Sequence, residues 1–207
     1  MSTIQLWSGR GFNLANPNPA EVFDCDIAHS LGNICRFTGH TLRNYTVAEH
    51  CVRMFWLASN PELMGWTKEA TSPELRLACL VHDAHEAYCG DMSAPMKRVV
   101  GREWSKVEAR ISLAVRTALG CDGFHGSVWD DVHEFDMVML RAERKAMMGP
   151  SGTVEWGNIE EVRDVEVDFD SARGLPWSAQ WLMLYRQTRM EVDRRRPQLE
   201  ALGEVRL

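Results

Sequence analysis

The sequence predicts an all-α fold, a helical bundle with a polar site between its helices. Three observations carry that reading. Apolar residues recur at i, i+3, i+4 and i+7 along several separate segments, the period of one buried helical face. Capping and stop residues bracket those segments. No strand-rich half, internal repeat or low-complexity tract competes with them. At 207 residues the chain has room for a substantial core, and 1–207 reads as a single domain.

Residues 1–24, with NPNP at 16–19, read as irregular or weakly extended structure. A short helix is predicted from Asp26 to Leu31, and a loop from Asn33 to Asn44. Thr46 followed by Glu49 forms a capping box that starts the first strong helix. Its inner stripe is Val47, Cys51, Met54 and Ala58, and His50 lies beside that stripe. A polar connection covers 60–71. Ser72 and Pro73 then supply the N-cap and first position of a second helix.

That second helix carries ACLVHDAHEAYCGDMSAPMKR, residues 78–98, until Gly90, Asp91 and Pro95 break it. Leu75, Cys79, His82 and Glu86 follow one helical stripe, so polar groups continue a line that apolar residues begin. A third helix is predicted from Arg102 to Leu119, with Trp104, Val107, Ile111, Val115 and Ala118 on one face and Gly120 ending it. A fourth runs from Ser127 to Met148, stopped by Gly149 and Pro150. Its stripe of Val128, Val132, Phe135 and Met139 also carries Asp136. The stretch 151–170 is acidic and irregular, with room for one short helix. A final helix starts near Pro176 and reaches about Arg194.

Composition narrows the function. Hydrophobic content of 45 % and charged content of 25 % are those of ordinary soluble proteins. A net charge of −6 argues against nucleic acid as a partner, but leaves a small phosphorylated ligand open. Six cysteines include no CxxC pair, which suits free thiols in a reducing compartment. The N-terminus lacks the charge and apolar run of a signal peptide, and no stretch approaches a membrane span. The expectation is a cytoplasmic protein with no membrane partner.

The misplaced polar residues are His50, His82, Asp83 and Asp136. Burying them without compensation is costly. Taken singly, His50 could be a satisfied helix histidine, and Asp136 could bond Arg141 or Arg144. Together, two imidazoles and two carboxylates suit a divalent transition metal such as Zn, Co, Mn or Fe, and are too rich in nitrogen for Ca or Mg alone. A helix bundle can aim such ligands at one interior point.

The order His50, His82-Asp83, Asp136 resembles the H…HD…D signature of the HD-domain metal-dependent phosphohydrolases. The segments YTVAEH (45–50), HDAHEAYCGDMSAPMK (82–97), EFDMVMLRAER (134–144) and NICRFTGHT (33–41) resemble the branch of 5′-deoxynucleotidases and bacteriophage dATP triphosphohydrolases. The resemblance covers about residues 25–148 and implies an HD-type bundle with its metal held by His50, His82, Asp83 and Asp136. It implies Glu86 beside the attacking water, and Asp91 as a second acid near the 5′ oxygen or sugar. Arg36 is implied to hold phosphate, Phe37 to pack on the base or sugar, and Lys97 to contact phosphate. Phe37 stands where the nucleotidases carry tryptophan, and His85 is an extra imidazole without an assigned role. Without the resemblance, Arg36 and Phe37 could be loop packing and Asp91 an Asx-turn.

The function so implied is hydrolysis at the 5′ phosphate of a deoxynucleotide, with dATP favoured and giving deoxyadenosine and triphosphate. A 5′-deoxynucleotidase acting on monophosphates is one alternative. A nucleotide-sensing module that does not hydrolyse is another. Relatives in the branch form dimers or larger rings, so a homo-oligomer is also expected.

Overall fold

A computed structural model describes residues 2–66, 71–149, 156–170 and 174–202, with side chains described as far as residue 197. It is an all-α bundle with one small hairpin. The hairpin pairs β1 (Thr3–Gln5) with β2 (Gly11–Asn13) in antiparallel register, Ile4 opposite Phe12. Phe12 is fully buried and packs its ring on Tyr88. The helices are α1 (Asp24–Leu31), α2 (Val47–Ala58), α3 (Pro73–Val81), α4 (Glu86–Cys89), α5 (Ala94–Val100), α6 (Arg102–Leu119), α7 (Gly126–Met147) and α8 (Trp177–Leu202). Among the described residues no helix is long and apolar enough to cross a membrane.

Helix α3 sits in the middle, against α2, α7 and α8. Its residues Leu75, Leu77, Ala78, Cys79, Leu80 and Val81 are all buried, which an amphipathic helix packed on one side could not achieve. The capping signals hold. Thr46 Oγ1 accepts from Glu49 N at 3.2 Å, and Ser72 Oγ from Leu75 N at 3.1 Å. Each such cap is worth about 1 kcal/mol. Only half of the capping box forms, because the Glu49 carboxylate turns to Arg43 and Arg53.

The structure differs from the sequence reading at four places. The second helix does not run unbroken to Cys89: α3 ends at Val81, a turn covers 82–85, and α4 starts at Glu86. His82 Nδ1 lies 2.9 Å from Cys79 O and His85 Nδ1 3.2 Å from His82 O. Those carbonyls would otherwise receive the amides of Asp83 and Glu86 in an α-helix, so the imidazoles compete with the backbone. Glu86 N bonds Asp83 O at 3.0 Å instead. Second, α5 was read as a break, yet Pro95 sits in its first turn as Pro73 does in α3.

Third, the buried face of α6 is Ile111, Ala114, Val115 and Leu119, whereas Ala118 is exposed. Fourth, α8 continues past Arg194 through Pro197. The 165–169 stretch is irregular, as the sequence predicts, with Val165 and Val167 packed on the core, Phe169 buried, and Glu166 and Asp168 outward. A 3-10 turn at Gly157–Glu161 supplies the short helix expected before it. Pro150, read as a helix stop, lies outside the described residues. All six cysteines are free thiols, and Cys51 and Cys79 are buried in the core as expected.

Candidate metal centre

His50 arrives from α2, His82 and Asp83 from the turn after α3, and Asp136 from α7. His50 is completely buried. His50 Nε2 and His82 Nε2 stand 3.1 Å apart. Asp83 Oδ2 lies 3.1 Å from His82 Nε2 and 3.6 Å from His50 Nε2. Asp136 Oδ1 lies 3.4 Å from His50 Nε2 and 3.9 Å from His82 Nε2. Donors held at about 2.1 Å around one ion stand about 3.0 Å apart in an octahedron and about 3.4 Å apart in a tetrahedron. The observed separations fall at and just above those values. His50, His82 and Asp83 form the tightest group and could hold a metal ion.

The far side of each imidazole supports the same conclusion. His50 Nδ1 lies 2.5 Å from Glu143 Oε1, and His82 Nδ1 faces Cys79 O. A carbonyl or carboxylate oxygen can only accept, so the Nδ1 positions carry the protons. In the neutral imidazoles both Nε2 lone pairs then converge on a point shared with two carboxylates. Donors so arranged are stabilised by positive charge among them, which a proton on His50 or a metal ion would supply.

Charge gives the same answer. Glu143 is fully buried, where it takes Tyr45 Oη–H at 2.7 Å and Arg36 Nη2–H at 3.1 Å. Arg36 also donates to Asp83 Oδ2 at 3.3 Å through Nη1. Burial alone would raise the Glu143 carboxyl, but Arg36 and then His50 outweigh it and hold it below its usual value. Asp83 and Asp136 are likewise held low against burial, by His82 and His50 respectively. With His50 neutral, three ionised carboxylates less one guanidinium leave a charge of −2, which a proton on His50 offsets in part and a divalent ion would balance in full. Burial and the Arg36 charge oppose a proton on His50, yet Glu143 and Asp136 lift it to about 9. The pocket favours positive charge.

Uncharacterized protein YfdR of Escherichia coli (strain K12) is 32 % identical over 167 residues, 81 % of this chain and 84 % of that protein. The chain belongs to the YfdR family. Uncharacterized protein RCAP_rcc00048 of Rhodobacter capsulatus is 33 % identical over 118 residues, 56 % of this chain and 57 % of that protein. No protein-family model matches the chain.

The other sequence-predicted site residues fall at different distances from this centre. Glu86 opens α4, three residues after Asp83, and is buried with Oε2 lacking a hydrogen-bond partner. Burial first, then Asp83 and Asp91, push its carboxyl well above the usual range. Asp91 follows Gly90, whose φ of 80° turns the chain sharply after α4. Its carboxyl is also raised, by burial and then Asp83, against the pull of Arg36. Arg36 is tied into the centre through Asp83 and Glu143, with Nε buried and unpartnered. Lys97 Nζ is 2.6 Å from Glu108 Oε1 on α6. His85 Nε2 is 3.5 Å from that same oxygen, so the extra imidazole belongs to a cluster with Glu108 and Lys97. His133 is exposed on α7.

Two groups escaped the sequence reading. Glu143 had a signal: Val132, Asp136, Met139 and Glu143 follow i, i+4, i+7, i+11, the rule that exposed Glu86. Glu108 had none, since it sits among polar residues on an ordinary helix.

Proposed function

We propose that this chain is an HD-type, metal-dependent phosphohydrolase that cleaves deoxynucleotides at the 5′ phosphate and releases the nucleoside. The favoured substrate is dATP, giving deoxyadenosine and triphosphate. The observation that carries the reading is the convergence of His50, His82, Asp83 and Asp136 from three helices beside an unpartnered, buried Glu86. Zn, Co or Mn would be held by those four residues and would polarise a phosphate oxygen and activate water.

The chain's own residues supply the rest. Glu86 orients the attacking water and accepts its proton, and its raised carboxyl brings it nearer the operating pH of a general base. Asp91, also raised, delivers a proton to the leaving 5′ oxygen as the P–O5′ bond breaks. Arg36 anchors Asp83 and offers its unpartnered Nε toward phosphate, and Lys97 offsets charge on the non-bridging oxygens.

A monophosphate substrate shares this cleavage point, and one observation favours it. Arg36 and Lys97 both have carboxylate partners already, which leaves little unopposed positive charge for a triphosphate tail. A sensor that binds without hydrolysis has no need of the two raised carboxyls. Purified protein is incubated with each dNTP and dNMP plus Co, Zn or Mn, and products are separated by chromatography. Deoxyadenosine and triphosphate from dATP support the reading, and deoxynucleosides from monophosphates alone select the alternative. Absence of turnover with every nucleotide and metal would remove the enzyme.

A further inference from the structure

The loop before α2 is held in an unusual backbone state. Phe37 and Thr38 both adopt left-handed φ values, 54° and 55°, although neither is glycine. Such positions are strained for residues that carry a Cβ and persist only where the surroundings fix them. The fixing groups are visible. Arg36 N bonds Tyr45 O at 2.9 Å, the Arg36 guanidinium is clamped by Asp83 and Glu143, and Leu42 N bonds Met147 O at 2.8 Å.

The strained conformation puts the Phe37 ring 5.4 Å from the Arg36 guanidinium and 6.0 Å from the Trp156 ring, tilted by 58°. Trp156 comes from the segment after α7, more than a hundred residues away in the chain. That segment is fastened to α7: Arg141 donates to the carbonyls of Glu160 and Val162, Arg144 pairs with Glu160, and Lys145 with Asp164. Arg144 also lies over Trp156, 5.5 Å from the ring. Phe37 and Trp156 are each only half-buried, so both keep surface to offer. The result is a ladder from the metal centre outward: Asp83, Arg36, Phe37, Trp156, Arg144.

We propose that Trp156, packed beside Phe37, is a further part of the wall on which the ligand's planar heteroaromatic base packs, and the residue that discriminates base-bearing ligands from bare sugar phosphates. This rests on the phosphohydrolase reading for the position of the phosphate. An aromatic wall one arginine removed from a metal ligand matches a molecule with a phosphate at one end and a flat ring at the other. Base–aromatic stacking is indifferent to which base is present, so the wall selects for a base without naming it.

The experiment compares wild type with Trp156→Ala, Trp156→Leu and Trp156→Phe, all loaded with Co. Binding of dAMP, dATP and 2-deoxyribose 5-phosphate is measured by calorimetry, and KM and kcat are measured wherever turnover occurs. The expectation is about tenfold weaker binding of dAMP and dATP to the Ala and Leu variants, unchanged binding of 2-deoxyribose 5-phosphate, and recovery in the Phe variant. The Leu variant keeps bulk in place and covers the case in which Ala does not fold. Equal weakening of all three ligands, or weakening of none, overturns the proposal. Binding is read without turnover, so an inactive protein that still prefers dAMP to the sugar phosphate retires the enzyme reading and keeps the wall.

Discussion

Glu143 Oε1 lies 2.5 Å from His50 Nδ1, and both side chains are shut off from solvent. The carboxylate therefore sets which imidazole nitrogen faces the metal centre, and Glu143 also carries Arg36 and Tyr45. Outer partners of this kind are worth about 10–100-fold in metal affinity. Glu143→Gln is expected to lose that much affinity for Zn or Co in competition with a chromophoric chelator. Glu143→Ala is expected to lower Tm as well, because Arg36 stays buried with one partner fewer; breaking such a buried pair costs about 3–5 kcal/mol. A Gln variant with wild-type affinity would remove Glu143 from the centre.

The His50 imidazole links metal uptake to pH. Burial and Arg36 oppose its charge, but Glu143 and Asp136 lift it to about 9, above the unfolded value of about 6.5. The folded metal-free chain thus binds this proton more tightly than the unfolded one. Its stabilising contribution is complete below about pH 6.5 and fades as pH rises through about 9. A metal ion displaces the same proton. The gain in Tm on adding Zn or Co is therefore expected to grow steadily from pH 6 to pH 9. A gain that is flat or shrinks over that range contradicts the assignment of His50 as a ligand.

Lys97 and His85 share one oxygen of Glu108, whose carboxyl is pushed down to about 2 by His85 and then by Lys97, against burial. Lys97 and Glu108 are partly exposed, so their pairing is worth little to folding, below about 1 kcal/mol, whereas His85 is buried. Under the proposed phosphohydrolase function the effect of the Lys97–Glu108 pair belongs in substrate affinity. Lys97→Met is expected to raise KM for the nucleotide about tenfold, the loss of one charge-assisted contact. Glu108→Gln removes the carboxylate that pairs with Lys97 and is expected to lower KM, with Tm near wild type for both. A rise in KM for the Gln variant would mean that Glu108 serves Lys97 by orienting it and does not compete for it.

Much of this architecture was legible because local chemistry agreed with tertiary packing. The caps at Thr46 and Ser72 and the stop at Gly120 mark the ends of α2, α3 and α6 from short-range rules alone. His50 could be picked out because it lies beside an apolar stripe, and Asp136 because it sits on one. The break at His82–His85 was not legible, since it depends on imidazoles taking backbone carbonyls, which no periodicity reveals. Glu143 was passed over because a glutamate flanked by arginines reads as a solvated face, and only the neighbouring helix shows that Tyr45, His50 and Arg36 enclose it. Trp156 lay beyond reach for a related reason: α2 to α7 separate it in the chain from Phe37, the ring it meets.

Glu86 separates stability from activity. Its side chain is buried, Oε2 has no partner, and burial, Asp83 and Asp91 together raise its carboxyl well above the usual range. The folded chain therefore holds this proton more tightly than the unfolded chain, whose glutamate ionises near about 4.3. Below that pH both states are protonated and nothing is lost. Above it the unfolded state ionises more readily than the folded state, so the native protein is destabilised as pH rises from about 4.3 toward neutral. Glu86→Gln has the same shape and no charge to give up. In the metal-free protein it is expected to raise Tm at pH 7, with the difference vanishing as pH falls to about 4. The same variant is expected to keep its metal and bind nucleotide while losing about 10²–10⁴-fold in turnover, the worth of a general base. A site built for chemistry at the expense of stability gives both changes together; a Gln variant that is less stable at pH 7, or as active as wild type, assigns Glu86 to the fold and takes it out of the reaction.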